Sequence, residues 1–174
     1  NKNKYPEFEH WSDIFDTYDK NENSVYDSVR NVIMGLGLDK KNIGKKNWNP
    51  FKRFISQKRL ILIKPNWVLD LNRKGDQDCL ITSNSVIQPL IDYSILALEG
   101  RGSIVIADAP LQNCNFGKLQ KFLRTKEIIS FYKEKFPKVE FIIEDWRLTI
   151  MQRTYFLGQE RNSVKQDIKN PQST

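Results

Sequence analysis

The stretch Arg59-Leu-Ile-Leu-Ile-Lys-Pro-Asn-Trp-Val68 constrains this chain more than any other. Four consecutive apolar residues rise out of basic flanks and stop at a proline. A short continuous apolar run of this kind is what a strand buried within a parallel sheet looks like. Pro65 has no N–H to give to a ladder, so the strand is expected to end at Lys64. Lys64 and Asn66 are thereby delivered to the carboxyl edge of whatever sheet the strand joins.

Two more runs repeat the pattern. Ser103-Ile-Val-Ile-Ala107 ends at Asp108-Ala-Pro110, and Val139-Glu-Phe-Ile-Ile143 ends at Glu144-Asp145. Between the first two lies an apolar stripe at helical spacing, Ile87, Leu90, Ile91, Ile95 and Leu98. Four capping-competent residues, Thr82 to Ser85, precede it, and Gly100 and Gly102 follow as its stop. Pro89 either forces that helix to begin at Val86 or later, or leaves a first-turn carbonyl without its bond. Leu119, Phe122 and Leu123 predict a short helix, and Ile128, Ile129 and Tyr132 a second one, with Thr125 as a cap between them and Pro137 closing the segment. Strand, helix, strand, helix, strand implies a parallel sheet with right-handed crossovers. The expected fold is α/β, a parallel or mostly parallel sheet with flanking helices in three layers, with truncation of the domain left open.

Upstream, Val25, Val29, Val32, Ile33 and Leu36 predict an amphipathic helix capped by Ser24, with Gly35 and Gly37 at its end. Trp48, Phe51 and Phe54 are expected to pack in the core. Residues 1–23 mix Tyr5, Phe8, Trp11, Phe15 and Tyr18 with acids, and form an arm expected to lie on the domain. The 65–82 connection is long, polar and glycine-containing, which suits a functional loop. Residues 24–150 form the single α/β domain of this reading, and 151–174 a polar tail or linker.

In an open α/β sheet, ligands bind outside the carboxyl ends of the strands. Lys64, Asn66, Asp108 and Asp145 would gather there, along with the amino end of the helix after the first strand. That end, with hydroxyls at Thr82 and Ser85 and an amide at Asn84, suits an anion, and Lys64 adds a full charge beside it. The roles expected are Lys64 and Asp108 as catalytic groups, Asn66, Thr82, Asn84 and Ser85 as ligand-binding groups, and Asp108 with Asp145 as holders of a divalent metal. The lone histidine, His10, lies in the arm. The sequence contains no Walker motif, no G-x-G-x-x-G and no catalytic Ser-His-Asp set.

A net charge of +7 favours anionic partners, yet the cations are spread along all 174 residues rather than clustered. That pattern makes nucleic acid an unlikely partner and a small anionic ligand the preferred one. Two cysteines, Cys79 and Cys114, are too few for a four-cysteine zinc or iron–sulfur site within this chain, and they are expected to be free thiols. No apolar run reaches the roughly 20 residues that span a bilayer, so no membrane insertion is expected and the cytoplasm is the default location.

Three separated motifs carry a family resemblance: Ile61-Leu-Ile-Lys-Pro-Asn-Trp-Val68, then Cys79-Leu-Ile-Thr82 with Ser85-Val-Ile87, then Ile104-Val-Ile-Ala-Asp-Ala-Pro110. In this order they resemble the domain-of-unknown-function 362 family, as do Gly35-Leu-Gly-Leu38 and the Trp48-Asn-Pro50 turn. The likeness covers roughly residues 24–147. It implies an α/β fold, a domain longer than this chain, and a site formed by Lys64, Asn66, Thr82 and Asp108. Some members carry a ferredoxin-type iron–sulfur segment. No stretch here matches it, so no cluster is expected. Where the family commonly shows a histidine or similar residue after the threonine, this chain has Ser83-Asn84, which would suit binding without turnover if that residue is a metal ligand or base. The reading that results is an enzyme domain for a small anionic metabolite or an anionic polymer precursor. Its rivals are a non-catalytic ligand-binding or assembly module and a basic nucleic-acid-binding protein.

Overall fold

The computed structural model describes residues 24–45, 47–55, 59–70 and 78–148, together with the backbone of 150–156 and 159–165. The arm of residues 1–23 lies outside the described residues. Strands β1 (Leu60–Ile63), β2 (Gly102–Asp108) and β3 (Val139–Asp145) form a parallel sheet in the order β1-β2-β3. Their register aligns Ile61 with Ile104 and Phe141, and Ile63 with Ile106 and Ile143. This confirms the α/β fold, with β3 running two residues further than its apolar core.

Helix α2 (Asn84–Leu98) makes the first crossover, and α3 (Phe116–Phe122) with α4 (Thr125–Lys135) the second. Two right-handed crossovers that advance in the same direction place their helices on the same side of the sheet. Burial agrees with this. Ile63, Ile104, Ile106, Val139 and Phe141 share one apolar cluster with Ile87, Ile91, Ile95 and Leu98 of α2 and with Ile128, Ile129 and Tyr132 of α4, and Ile61 packs against it. Among the described residues the helices therefore cover one face of the sheet, where three layers were expected.

Helix α2 begins at Asn84, two residues ahead of the expected start, and Ser83 rather than a later residue is its cap. Pro89 sits inside the helix, so the Ser85 carbonyl lacks its usual partner; a proline this early in a helix costs only that one bond. The carboxyl end closes with Glu99 and Gly100 at positive φ, and the Gly100 N–H donates to the Ile95 carbonyl at 3.1 Å. Gly102 opens β2 at φ 130°, where an added Cβ would meet the Arg59 carbonyl oxygen at 2.3 Å. Glycine is obligatory here because the β1 entry and the β2 start approach backbone to backbone. Thr125 is the first residue of α4 rather than its cap, and Arg124 holds the cap position at positive φ.

Helix α1 (Ser24–Gly35) packs on α2 through Tyr26, Arg30 and Ile33, while Val32 and Leu36 of the expected stripe are 64% and 68% exposed. A buried carboxylate explains the rotation. Asp92 on α2 accepts hydrogen bonds from the Tyr26 hydroxyl of α1 and from the Tyr132 hydroxyl of α4, the latter at 2.7 Å. Burial and the Asp92 charge push the Tyr132 phenol well above its ordinary pKa, so it remains a donor. Trp48 is fully buried against Tyr93 and donates from its indole nitrogen to the Leu38 carbonyl at 2.9 Å, as its expected core role requires; Phe54 is exposed instead. Residues expected to be a tail carry an antiparallel hairpin, β4 (Ile150–Phe156) and β5 (Gln159–Lys165), in the register Ile150 with Lys165.

Candidate functional site

Beyond β1 the chain leaves the sheet but keeps an extended path. Trp67 forms an antiparallel bridge with Ile81, and the Val68 N–H donates to the Leu80 carbonyl at 3.0 Å. Asn66 and Thr82 close this clasp: the Thr82 N–H donates to the Asn66 carbonyl, and the Asn66 N–H donates to Thr82 Oγ1, both at 2.9 Å. The long connection thus folds back on itself, and the clasp sets the start of α2 beside the end of β1. Thr82 spends its hydroxyl on this junction, whereas the Asn66 side chain stands exposed.

Asp108, the last residue of β2, is the organiser of this edge. Its side chain is buried, and both oxygens are engaged. Oδ2 accepts the Trp67 N–H at 2.6 Å, and Oδ1 accepts the Ala109 N–H at 2.9 Å and the Lys64 ammonium at 2.7 Å. Its carbonyl also accepts the Trp146 N–H at 2.9 Å. One carboxylate therefore ties the ends of β1 and β2 together, and charge-assisted bonds of this kind are the strong ones. Lys64 contrasts with its partner, its side chain being 60% exposed. Its Nζ also donates to the Pro65 carbonyl at 3.3 Å. Two of its three donors are thus used and the third faces solvent.

The other predicted residues divide. Ser83 caps α2 by accepting the Ser85 N–H at 3.3 Å, and the Ser83 and Ser85 hydroxyls bond each other at 2.9 Å. Asn84 turns away and donates from its side chain to the Leu123 carbonyl, joining α2 to the α3–α4 junction. Asp145 aligns with Asp108 across the β2–β3 pair but has a different occupation. Both its oxygens accept from the Arg147 guanidinium, with Nε at 2.8 Å from Oδ1 and 3.1 Å from Oδ2. Arg147 also donates to the carbonyls of Leu111, Gln112 and Cys114. The pair anchors the loop after β2, and Asp145 holds the already strongly basic Arg147 more firmly protonated. Among the described residues no three His, Cys, Asp or Glu side chains converge as a metal site would need.

Arg147 is the residue that sequence reasoning missed. It follows a strand end and has no periodic signal, and only the fold shows that three carbonyls converge on it. Cys79, exposed, and Cys114, buried, are not joined in a disulfide; burial, with Asp70 nearby, pushes the Cys114 thiol up to about 11. Trp48 and Trp67 lie in the core, out of reach of a stacking base. No helix among the described residues is long and apolar enough to cross a membrane. No family model, curated protein or solved structure matches the chain.

Proposed function

We propose that the carboxyl edge of the sheet binds a small anionic ligand, held by the Lys64 ammonium and the exposed Asn66 carboxamide beside the start of α2. The observation that carries this reading is the Lys64–Asp108 pair. A buried carboxylate fixes an exposed cation in place at the strand ends, with one N–H left toward solvent. A cation positioned in advance loses less entropy on meeting an anion than a free surface lysine does. The position is the carboxyl edge of the sheet, the edge at which open α/β sheets take their ligands. The same residues carry the resemblance to the domain-of-unknown-function 362 family, and kinship with it is part of the proposal.

One observation favours the binding-module version over an enzyme. Both Asp108 oxygens already accept hydrogen bonds, two of them from backbone N–H groups, so the carboxylate acts as a brace and is poorly placed to take a proton from a substrate. The test is thermal denaturation of the purified chain with inorganic phosphate, citrate and nucleoside phosphates, repeated on Lys64→Ala. An anion that raises the Tm of the parent and leaves the variant unmoved supports the site. Equal stabilisation of both chains, or none in a chain that melts cooperatively, overturns it. Turnover of whichever anion binds would restore the enzyme reading.

A further inference from the structure

The cations that look dispersed in the sequence are gathered by the fold. Each strand of the sheet is entered from one: Arg59 precedes β1, Arg101 precedes β2 and Lys138 precedes β3. Backbone bonds hold the three side by side. The Ser103 N–H donates to the Arg59 carbonyl at 2.9 Å, the Gly102 N–H to the Lys138 carbonyl at 3.2 Å, and Arg59 Nε to the Arg101 carbonyl at 3.1 Å. Each crossover helix runs back against the strands, so α2 and α4 also end at this amino edge. The last turn of α4 brings Lys133 and Lys135 there. The segment before β1 adds five more. Lys52 and Arg53 lie in a short turn held to α2 by the Lys52–Glu99 ion pair at 3.1 Å. Lys40, Lys41 and Lys45 belong to a loop closed by the Asn49 N–H, which donates to Asp39 Oδ2 at 2.8 Å. The Asn49 side chain fastens that loop to the last turn of α2, donating to the Leu96 carbonyl at 3.1 Å.

Against these ten cations the edge holds four acids, Asp39, Glu99, Glu134 and Glu140, a net +6. The other described side chains balance, with seven cations and seven acids. The net charge of the described residues therefore sits at one end of the fold. Attraction to a helix carboxyl end accounts for Lys133 and Lys135. It does not account for the rest, since α2 has no basic residue in its own last turn. Nor do the acids neutralise the edge. Asp39 accepts from the Asn42 side chain as well as from the Asn49 N–H, and Glu140 accepts from the Ser103 hydroxyl. Glu99 is shared by Lys52 and Arg59, which hold its carboxyl below the usual carboxylate range. Apolar side chains stand among these cations: Phe54, Leu36 and Leu60 are 60%, 68% and 49% exposed. The Arg53 guanidinium lies over the Phe54 ring, 4.6 Å from its centre.

We propose that this amino edge docks on the surface of a membrane rich in anionic phospholipid, the cations meeting headgroups and Phe54 and Leu36 entering the interface. Clustered basic residues are attracted to an anionic leaflet, and apolar side chains beside them add buried area. Side-chain chemistry favours lipid over nucleic acid as the occupant. Seven of the ten cations are lysines, which meet phosphate as point charges without the bidentate fork of arginine. The leucines have no π-face on which a base could stack, and Arg53 already takes one face of Phe54. A lipid interface accepts all three apolar side chains. Docked in this way, the chain leaves the carboxyl edge of the sheet facing away from the membrane. That edge is roughly 23 Å distant along the seven-residue strands β2 and β3, so the proposal is independent of what binds there.

Cosedimentation of the full-length chain with phospholipid vesicles tests this. Binding is expected to vesicles of phosphatidylcholine containing about one-third phosphatidylserine, and not to phosphatidylcholine alone. Replacing Lys40, Lys41 and Lys45 together with glutamine should weaken the partition at least about tenfold. Replacing Lys118, Lys121 and Lys126 with glutamine removes the same charge from the far end, well beyond a screening length of about 8 Å, and should change it less than about twofold. Phe54→Ser leaves the charge untouched and should weaken binding about fivefold. All seven positions are exposed, and unchanged melting temperatures show that the variants fold. Equal binding to both kinds of vesicle overturns the proposal, as does equal loss in the two triple variants. Phe54→Ser binding as tightly as the parent also overturns it. Tighter binding to duplex DNA than to the anionic vesicles assigns the edge to nucleic acid instead.

Discussion

Replacing Asp108 with asparagine separates its bracing role from its electrostatic one. The carboxylate accepts three hydrogen bonds, two on Oδ1 and one on Oδ2. An amide of the same shape can accept on one side only. Keeping its oxygen toward Ala109 and Lys64 sets an NH2 against the buried Trp67 N–H, and the reverse orientation sets it against Ala109 and Lys64. The first choice is cheaper, because it sacrifices one bond rather than two. A buried hydrogen bond to a charged acceptor contributes about 1.5–3 kcal/mol, and the stranded donor adds to the loss. The expected cost of Asp108→Asn is therefore about 2–4 kcal/mol, which a domain of ordinary stability survives. Lys64 contributes little of this, since its side chain is 60% exposed and water screens the pair; Lys64→Ala should cost less than about 1 kcal/mol. Urea denaturation of the parent, both single variants and the double variant gives the coupling directly. Exchange of the Trp67 amide should accelerate in Asp108→Asn and stay unchanged in Lys64→Ala. The bracing argument fails if Asp108→Asn lies within about 0.5 kcal/mol of the parent, or if the Lys64 coupling accounts for the whole loss.

Three further substitutions probe the frame around the site. Gly102→Ala must place a Cβ against the Arg59 carbonyl at positive φ, and should destabilise by about 2–4 kcal/mol in the same urea assay. Arg147→Met leaves the Asp145 carboxylate and three carbonyls without their donor and should cost about 3–5 kcal/mol; Arg147→Lys should recover only part, because an ammonium cannot reproduce the planar fork. Cys114 gives a pH signature. Its folded thiol titrates at about 11 against an ordinary 9.0, so above pH 9 the unfolded chain releases a proton that the folded chain keeps. Stability should fall as pH rises from 9 toward 11, and should be independent of this group below that range. Comparing urea midpoints across that window in the parent and Cys114→Ala isolates the contribution, and at pH 8 a thiol reagent should modify Cys79 well before Cys114.

The strands were legible because burial within a parallel sheet demands continuous apolar runs, and β1, β2 and β3 each supply one. Their order then fixed which ends meet, which is why Lys64 and Asp108 could be expected along one edge from sequence although 44 positions separate them. The orientation of α1 was not legible in this way. Val29 and Ile33 of its expected stripe do pack inward, but the helix is turned enough to leave Val32 and Leu36 exposed, since Tyr26 finds the Asp92 carboxylate and a buried polar partner outweighs that exposure. The hairpin of β4 and β5 escaped for a different reason: its backbone pairing satisfies the ladder whatever the composition, and a reading weighted toward apolar content sees only a polar tail. Within the site, spacing shows residue types but not their occupations. Asp108 and Asp145 end neighbouring strands at the same register, which in sequence makes them look like equivalent ligands. The fold gives one a lysine and two backbone amides, and the other an arginine that belongs to the next loop. Two like-placed carboxylates thus acquire opposite duties, the first presenting a cation to solvent and the second burying one. That difference, rather than the carboxylates themselves, is the reason the proposed anion site is put at the β1–β2 end of the edge and away from β3.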